Sequence, residues 1–334
     1  MLKVLRPRQD TRVALATYAS RQACQIEGLS WNTRFTPDVY IGLVPISASE
    51  GDQIYVGEEL LLSAEEAQGH LSPDTEYALL MRTLPDEQRL DYVLHTTSAD
   101  AIPFVLERLV RRIVDMHMYQ VLPPEEPARF DNSGIERGSY EQIKQKLKHN
   151  LAFLDAVIQC DTRFYSEICH NLMNNLLWLI NEPDYQGYFA NRLQNRHIKR
   201  CHGDLKTPNI WIDINKGQAA DYGIKILDAI DFNDHYCYID VLSDFAMLVI
   251  DIEFCTHSSQ HADSMIEHYL QLTRQNDEPS RRVLNYYLVE KAIINGVVNI
   301  LYDQQPNRGL AFLQLAKRRM DELVEATLSP VPSS

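Results

Sequence analysis

Apolar residues in this chain follow the spacing of strands first and of helices later. Val39 to Pro45 and Ile54 to Leu62 are runs rich in Val, Ile, Leu and Tyr, and Tyr77-Ala78-Leu79-Leu80-Met81-Arg82 is a third that ends before Pro85-Asp86. A helix is expected between Leu15 and Leu29. From Ala99 onward the period lengthens: Ile102, Val105, Leu106, Leu109, Val110, Ile113 and Val114 share one helical face, with Asp100 as the expected cap. Residues 120 to 136 carry Pro123, Pro124, Pro127 and Gly134 and read as a connection. Helices are expected again over Ser139 to Asp155, Arg163 to Ile180 and Arg281 to Val298. Leu310 to Leu328 reads as a last amphipathic helix before a loose tail, residues 329–334. Val241 to Ile250 is apolar nearly all round, which predicts a core helix. Asp240 at its start is then a buried scaffold carboxylate accepting backbone N–H bonds from the turn at Asp204. The whole pattern predicts an α+β fold with a small strand-containing lobe over residues 1–88, a larger helical lobe over 89–328, and a hinge near Met81 to Asp91.

At 334 residues the chain can bury the core of two lobes, and 45% hydrophobic with 23% charged residues is an ordinary globular balance. The formal net charge is -14 with no basic block, which argues against a nucleic-acid or anionic-membrane partner, since both need a concentrated positive surface. Such acidity suits either a plain solvated surface or a cationic substrate. Cys24, Cys160, Cys169, Cys201, Cys237 and Cys255 form no CxxC pair, and no N-terminal apolar segment or bilayer-length run accompanies them. Reduced thiols in a cytoplasm are expected. Cys255, His257 and His261 lie close enough for a metal clip, the histidines at i,i+4 if helical. No fourth ligand accompanies them and Ser258-Ser259-Gln260 reads as a loop, which disfavours a metal there.

The chemistry concentrates in His202-Gly203-Asp204-Leu205-Lys206-Thr207-Pro208-Asn209 and in Lys225-Ile226-Leu227-Asp228. Phosphoryl transfer needs one carboxylate to orient an attacking hydroxyl, plus an amide oxygen and a second carboxylate to hold Mg²⁺. Asp204 sits in a polar turn before the strand-like Ile210-Trp211-Ile212, and Asn209 lies at the far end of that turn. A hairpin from Ile210 to Leu227, turning near Gly217 and Gly223, would return Asp228 beside Asn209. Asp231 is a second metal ligand or an outer acceptor, or else a loop residue pairing with a nearby cation or backbone amide.

These stretches, with Ile239-Asp240, Asp231-Phe232-Asn233-Asp234, Asp38-Val39-Tyr40-Ile41-Gly42-Leu43-Val44-Pro45-Ile46 and Glu76-Tyr77-Ala78-Leu79-Leu80-Met81-Arg82, resemble the aminoglycoside phosphotransferase family of small-molecule kinases. Closer still is the resemblance to the phosphotransferase-like domain that precedes a P-loop ATPase domain in many bacterial proteins. It runs from about Lys3 to the 250s. It implies a protein-kinase-like two-lobed fold, ATP and Mg²⁺ as cofactors, and γ-phosphate transfer to the hydroxyl of a small molecule. Asp204 is then the catalytic base, in a catalytic loop over 201–209, and Asn209 and Asp228 the Mg²⁺ ligands, in a metal segment over 226–234. Tyr77 to Leu84, with Met81, is implied as the adenine-side hinge, Lys3 as the strand lysine that meets the phosphates, and Glu27 as its ion-pair partner.

Three departures bear on that expectation. The glycine-rich loop would precede Lys3, so the sequence reads as N-terminally incomplete, or as a protein that binds nucleotide without that lid. No GxxxxGK[ST] occurs, so any P-loop ATPase partner is encoded separately. Lys206 stands where this subgroup more often has histidine and resembles the protein-kinase lysine that neutralises the transferring phosphate, or is a surface lysine beside an acidic turn. No Ala-Pro-Glu signature follows Asp228, which weighs against a protein kinase. The rival reading is a catalytically impaired kinase-like module that binds nucleotide or a protein partner.

Overall fold

The computed structural model describes residues 1–5, 15–48, 54–125, 128–216, 222–231 and 233–328. In chain order the elements are β1 (Leu2–Val4), α1 (Tyr18–Phe35), β2 (Tyr40–Ala48), β3 (Ile54–Val56), α2 (Ala64–His70), β4 (Glu76–Met81), α3 (Leu90–Thr96), α4 (Ile102–Asp115), α5 (Tyr140–Cys160), α6 (Thr162–Ile180), α7 (Pro183–Gln194) and β5 (Ile198–Arg200). There follow β6 (Ile210–Ile212), β7 (Ile224–Ile226), α8 (Asp234–Cys237), β8 (Tyr238–Asp240), α9 (Val241–Thr256), α10 (Ser259–Thr273), α11 (Glu278–Leu301) and α12 (Pro306–Leu328). The class is α+β: one strand, a helix and the rest of an antiparallel sheet come first, then a run of helices, a polar loop, a hairpin and a second run of helices. Two compact units result, one from Met1–Ser98 with His202–Cys237, the other from Ala99–Cys201 with Tyr238 onward.

The first unit is built on a four-stranded antiparallel sheet in the order β1-β4-β2-β3. Its middle strand β4 alternates strictly between two apolar clusters, as a pleated strand buried on both faces must. Tyr77, Leu79 and Met81 pack with Leu29 of α1, Leu43 and Leu227, while Ala78 and Leu80 pack with Val44, Ile46 and Leu2. Pairing of Lys3 with Leu79 fixes β1 in this sheet. Strand β3 is shorter than the Ile54–Leu62 pattern predicts, because the ladder stops once the Gly57 N–H has met the Pro45 carbonyl and Leu61 rejoins β2 out of register, through a bridge to Leu43.

Helix α1 starts at a capping box in which the Thr17 and Ser20 side chains each accept the other's backbone N–H. It also runs six residues past the expected end at Leu29, to Phe35. Buried Trp31 and Phe35 supply apolar contacts there, and Asn32 and Thr33 bond to carbonyls four residues back. Pro37 follows the helix at once.

The second unit is helical around α9, which is buried along nearly its whole length, as its all-round apolar pattern requires. Asp240 caps it by accepting the Leu242 N–H at 2.9 Å, and Arg192 of α7 grips the same carboxylate through Nε and Nη2 at 2.8 and 2.7 Å. Two expectations fail here. Asp100 does not cap α4: the cap position is Ala101 with no side-chain bond, and Pro103 in the first turn removes one N–H that a cap would have to satisfy. Ser258-Ser259-Gln260 is not a loop either, for Ser258 caps α10 through the His261 N–H. His257 closes α9 in a left-handed conformation, so His257 and His261 do not share a helix face. Among the described residues no helix is long and apolar enough to cross a membrane.

Candidate active site

The loop from His202 to Asn209 is tied down by a histidine with no exposed surface. His202 Nε2 donates to the Leu227 carbonyl at 2.9 Å and Nδ1 accepts the Asp204 N–H at 3.3 Å, which defines a neutral ring with its proton on Nε2. Gly203 has φ +85°, and a Cβ there would meet the Tyr236 carbonyl at 2.8 Å, so only glycine fits this corner. With the corner made, Asp204 projects from a partly exposed position, and Lys206 Nζ sits 2.7 Å from its Oδ2. A one-turn 3₁₀ segment over Thr207–Asn209 then presents Asn209, whose Nδ2 donates to the Asp204 carbonyl at 2.9 Å and to its Oδ2 at 3.3 Å. An amide whose nitrogen faces these two acceptors offers its oxygen on the other side.

The expected hairpin forms. Ile210 pairs with Ile226 and Ile212 with Ile224, and the Leu227 N–H closes onto the Asn209 carbonyl at 2.9 Å. Asp228 therefore begins one residue from that contact. Its backbone is left-handed, φ 65°, a region aspartate tolerates better than most residues, and its N–H donates to the Tyr40 hydroxyl at 2.9 Å. Its carboxylate, 55% exposed, bonds to Lys3 Nζ, and Asp231 lies 3.8 Å from the same ammonium while only 6% exposed. Gly217 of the turn and Phe232 of the metal segment lie outside the described residues.

Two carboxylates facing one ammonium set the local electrostatics. Burial would lower the Lys3 pKa, but Asp231 and Asp228 outweigh it and hold the amine charged well above the ordinary lysine range. Partial desolvation raises Asp228, and the ammonium of Lys3, with Lys206 beyond it, more than offsets this, so it stays below its usual range. Asp231 moves up, because its burial and the like charge of Asp228 exceed the help from Lys3 and Cys24. Burial and Asp231 push the Cys24 thiol up as well, which keeps it a neutral donor to Asp231 Oδ1 at 3.4 Å.

Asp204, Lys206, Asn209, Asp228, Asp231 and Lys3 thus come together within the first unit. Glu27 is half-buried on α1, one turn after Cys24, whose thiol feels its charge. The Lys3 ammonium itself faces Asp228 and Asp231. Met81 closes β4 in the apolar core, and its N–H and carbonyl both pair with Met1, at 2.8 Å each. The sequence reading missed Tyr40 and Asn32, which hold the backbone of residues 228 and 229.

A second cluster needs separate mention. His117, Cys201 and Asp244 are fully buried in the other unit, with potential ligand atoms within 4.8 Å of one another. Both ring nitrogens of His117 are engaged, Nε2 with Asp244 at 3.1 Å and Nδ1 with the Tyr269 hydroxyl at 2.7 Å. A metal would have to displace the first of these bonds, so the cluster reads as scaffold.

No protein-family model and no curated protein matches the chain. Among solved structures it is similar to a choline kinase from Cryptosporidium parvum, at 14% identity over 78% of this chain and 74% of that one, with a TM-score of 0.47. It is also similar to the GDP complex of aminoglycoside 2'-phosphotransferase-IIIa, at 9% identity over 96% and 93% of the two chains, with a TM-score of 0.46. An ethanolamine kinase from Plasmodium vivax matches at 13% identity over 97% and 74%, with a TM-score of 0.44.

Proposed function

We propose that this chain is an ATP- and Mg²⁺-dependent phosphotransferase that moves the γ-phosphate to a hydroxyl of a small molecule, of the aminoglycoside phosphotransferase-like kind. The observation that carries the reading is the β6–β7 hairpin, which sets Asp228 next to Asn209 while the Asn209 amide holds Asp204. In that role Asp204 orients the acceptor hydroxyl and receives its proton as the oxygen–phosphorus bond forms and the bond to the β-phosphate oxygen breaks. Lys206, against Asp204, would balance charge on the transferring group, and Lys3 would meet the phosphates.

The donor set fits a magnesium ion. It offers one half-exposed carboxylate, one buried carboxylate beside it and one outward amide oxygen, all hard oxygen ligands with negative charge in excess of the nearby ammonium. Asn209, Asp228 and Asp231 would hold it, and when bound it supplies charge neutralisation at the phosphates. Glu27 and Met81 remain the helix and hinge contributions on the nucleotide side. A P-loop ATPase encoded separately would be the partner, and a cytoplasm the setting.

One observation favours the rival, a kinase-like module that binds nucleotide without turning it over. Lys3 is bonded to Asp228 itself, so in this arrangement the cation meant for phosphate neutralises the metal ligand. Thermal unfolding with ATP plus Mg²⁺ against ATP plus EDTA, followed by ADP release with a panel of amino alcohols and aminoglycosides, separates the two. A Mg²⁺-dependent rise in Tm with hydroxyl-dependent ADP release is the expected result. A rise without ADP release would favour the rival as a nucleotide-binding module, and no rise would overturn the phosphotransferase reading and leave the rival only as a protein-binding module.

A further inference from the structure

Cys24, Gly28, Asn32, Thr36 and Tyr40 stand four apart in sequence, and all five are buried. The first three form one stripe along α1, Thr36 is its C-terminal cap residue, and Tyr40 opens β2. Such a stripe facing a core would ordinarily be leucine and isoleucine. Here every member instead meets the segment that carries the metal ligands. Thr36 Oγ1 accepts the Ile226 N–H at 3.0 Å and donates to the Ile226 carbonyl at 2.8 Å. The Tyr40 hydroxyl accepts the Asp228 N–H at 2.9 Å and donates to Asn32 Oδ1 at 3.1 Å. The same Oδ1 accepts the Ala229 N–H at 2.9 Å, and Asn32 is held in turn by donating Nδ2 to the Gly28 carbonyl at 2.9 Å. Gly28 lets Asp231 lie flat against the helix, since a Cβ there would collide with Oδ2, and Cys24 donates to Asp231 Oδ1.

Once β7 ends at Ile226, the backbone N–H groups of residues 228 and 229 have no sheet partner, yet each is satisfied by a side chain from α1 or β2. Asp228 is in addition held at positive φ, a conformation that relaxes unless its surroundings fix it. We propose that Asn32, Thr36 and Tyr40 are positioning residues: they clamp the backbone of residues 226–229 so that the Asp228 carboxylate is presented to the metal, and they tie that presentation to the seating of α1. The proposal rests on the phosphotransferase reading of this site.

Equilibrium dialysis of Mn²⁺ with ATP, in which bound Mn²⁺ is the excess over the protein-free chamber, tests the clamp without recourse to turnover. Tyr40→Phe removes one hydroxyl and preserves the ring, and about tenfold or greater loss of Mn²⁺ affinity is expected, as for other residues that orient metal ligands. Leu61→Val, a core change in the same unit outside the stripe, should lower Tm and leave Mn²⁺ affinity at the wild-type value. Thr36→Val should weaken Mn²⁺ binding and Thr36→Ser restore it, a pair that still decides the matter if Tyr40→Phe does not fold. Equal Mn²⁺ affinity in wild type, Tyr40→Phe and Thr36→Val would overturn the clamp while leaving the phosphotransferase reading intact. A wild type that binds no Mn²⁺ with ATP would overturn both.

Discussion

At residue scale the decisive position is Asp228, where charge and backbone make separate demands. Its φ of 65° costs most L-residues about 1–3 kcal/mol, and Asp and Asn bear it best. Asp228→Asn therefore keeps the shape and the conformation and removes only the charge. On the proposed function, phosphoryl transfer should fall by roughly 10²–10³-fold or more, with Tm within a few degrees of wild type. Asp228→Val adds a β-branched residue at positive φ and should lower Tm as well, so kinetics and thermal unfolding of the pair separate chemistry from strain. Retained turnover in Asp228→Asn would remove the metal role from this residue. The closeness of Asp204, Asn209 and Asp228 is legible in the sequence because their spacing around a turn and a hairpin is local. The contacts of Tyr40 and Asn32 are not, since they reach residues 188 and 197 positions away and neither side chain is diagnostic alone. Small or polar residues at every fourth position, Cys24, Gly28, Asn32 and Thr36, where a core-facing stripe would carry leucine or isoleucine, were the available signal.

At the scale of elements, what the pattern predicts best is what one apolar face decides. The β6–β7 hairpin, β4 and the core helix α9 follow directly from their runs of Ile, Leu and Val. Helix α7 escapes such a reading, because its twelve residues bury only Tyr185, Phe189 and Arg192. Yet α7 is where Asp240 finds its partner. Arg192 is 2% exposed and Asp240 not at all, and the guanidinium also donates to Gln275 at 2.6 Å. Such a pair adds little over a well-packed apolar substitute, but breaking it strands a buried charge. Arg192→Met should therefore cost about 3–5 kcal/mol in denaturant unfolding, and Arg192→Met with Asp240→Asn should cost less than the two single changes added together. Additive losses would show that the two side chains act independently.

At the scale of the whole molecule, the order of strand-rich and helix-rich stretches is legible as a linear pattern. The inclusion of His202–Cys237 in the compact unit of the sheet is not, because it depends on Leu227 joining Leu29 and Leu79 in one cluster. Stability against pH is likewise a property of the whole chain, and three groups pull it in different directions. His197 is pushed down to about 4, first by burial and then by Arg192, so between pH 6.5 and that value the unfolded chain takes up a proton the native one refuses. Its contribution is thus complete above 6.5 and lost on acidification, roughly 1–2 kcal/mol after allowance for the ring's partial exposure. Asp228, held low, begins to withdraw support only as pH falls below the ordinary aspartate range, whereas Asp231, held high, has the opposite sign and favours the folded state as acid is added. The net charge of -14 also relaxes toward zero as pH falls to the isoelectric point near 5.2, which eases self-repulsion. Total stability therefore blends opposing trends, and the difference between two proteins is the cleaner observable. The unfolding free energy of His197→Gln should fall less than that of wild type between pH 7 and pH 4.5, by roughly 1–2 kcal/mol, in urea titrations at fixed ionic strength. Parallel curves would mean that His197 titrates alike in the folded and unfolded chain and that its burial beside Arg192 has no thermodynamic consequence.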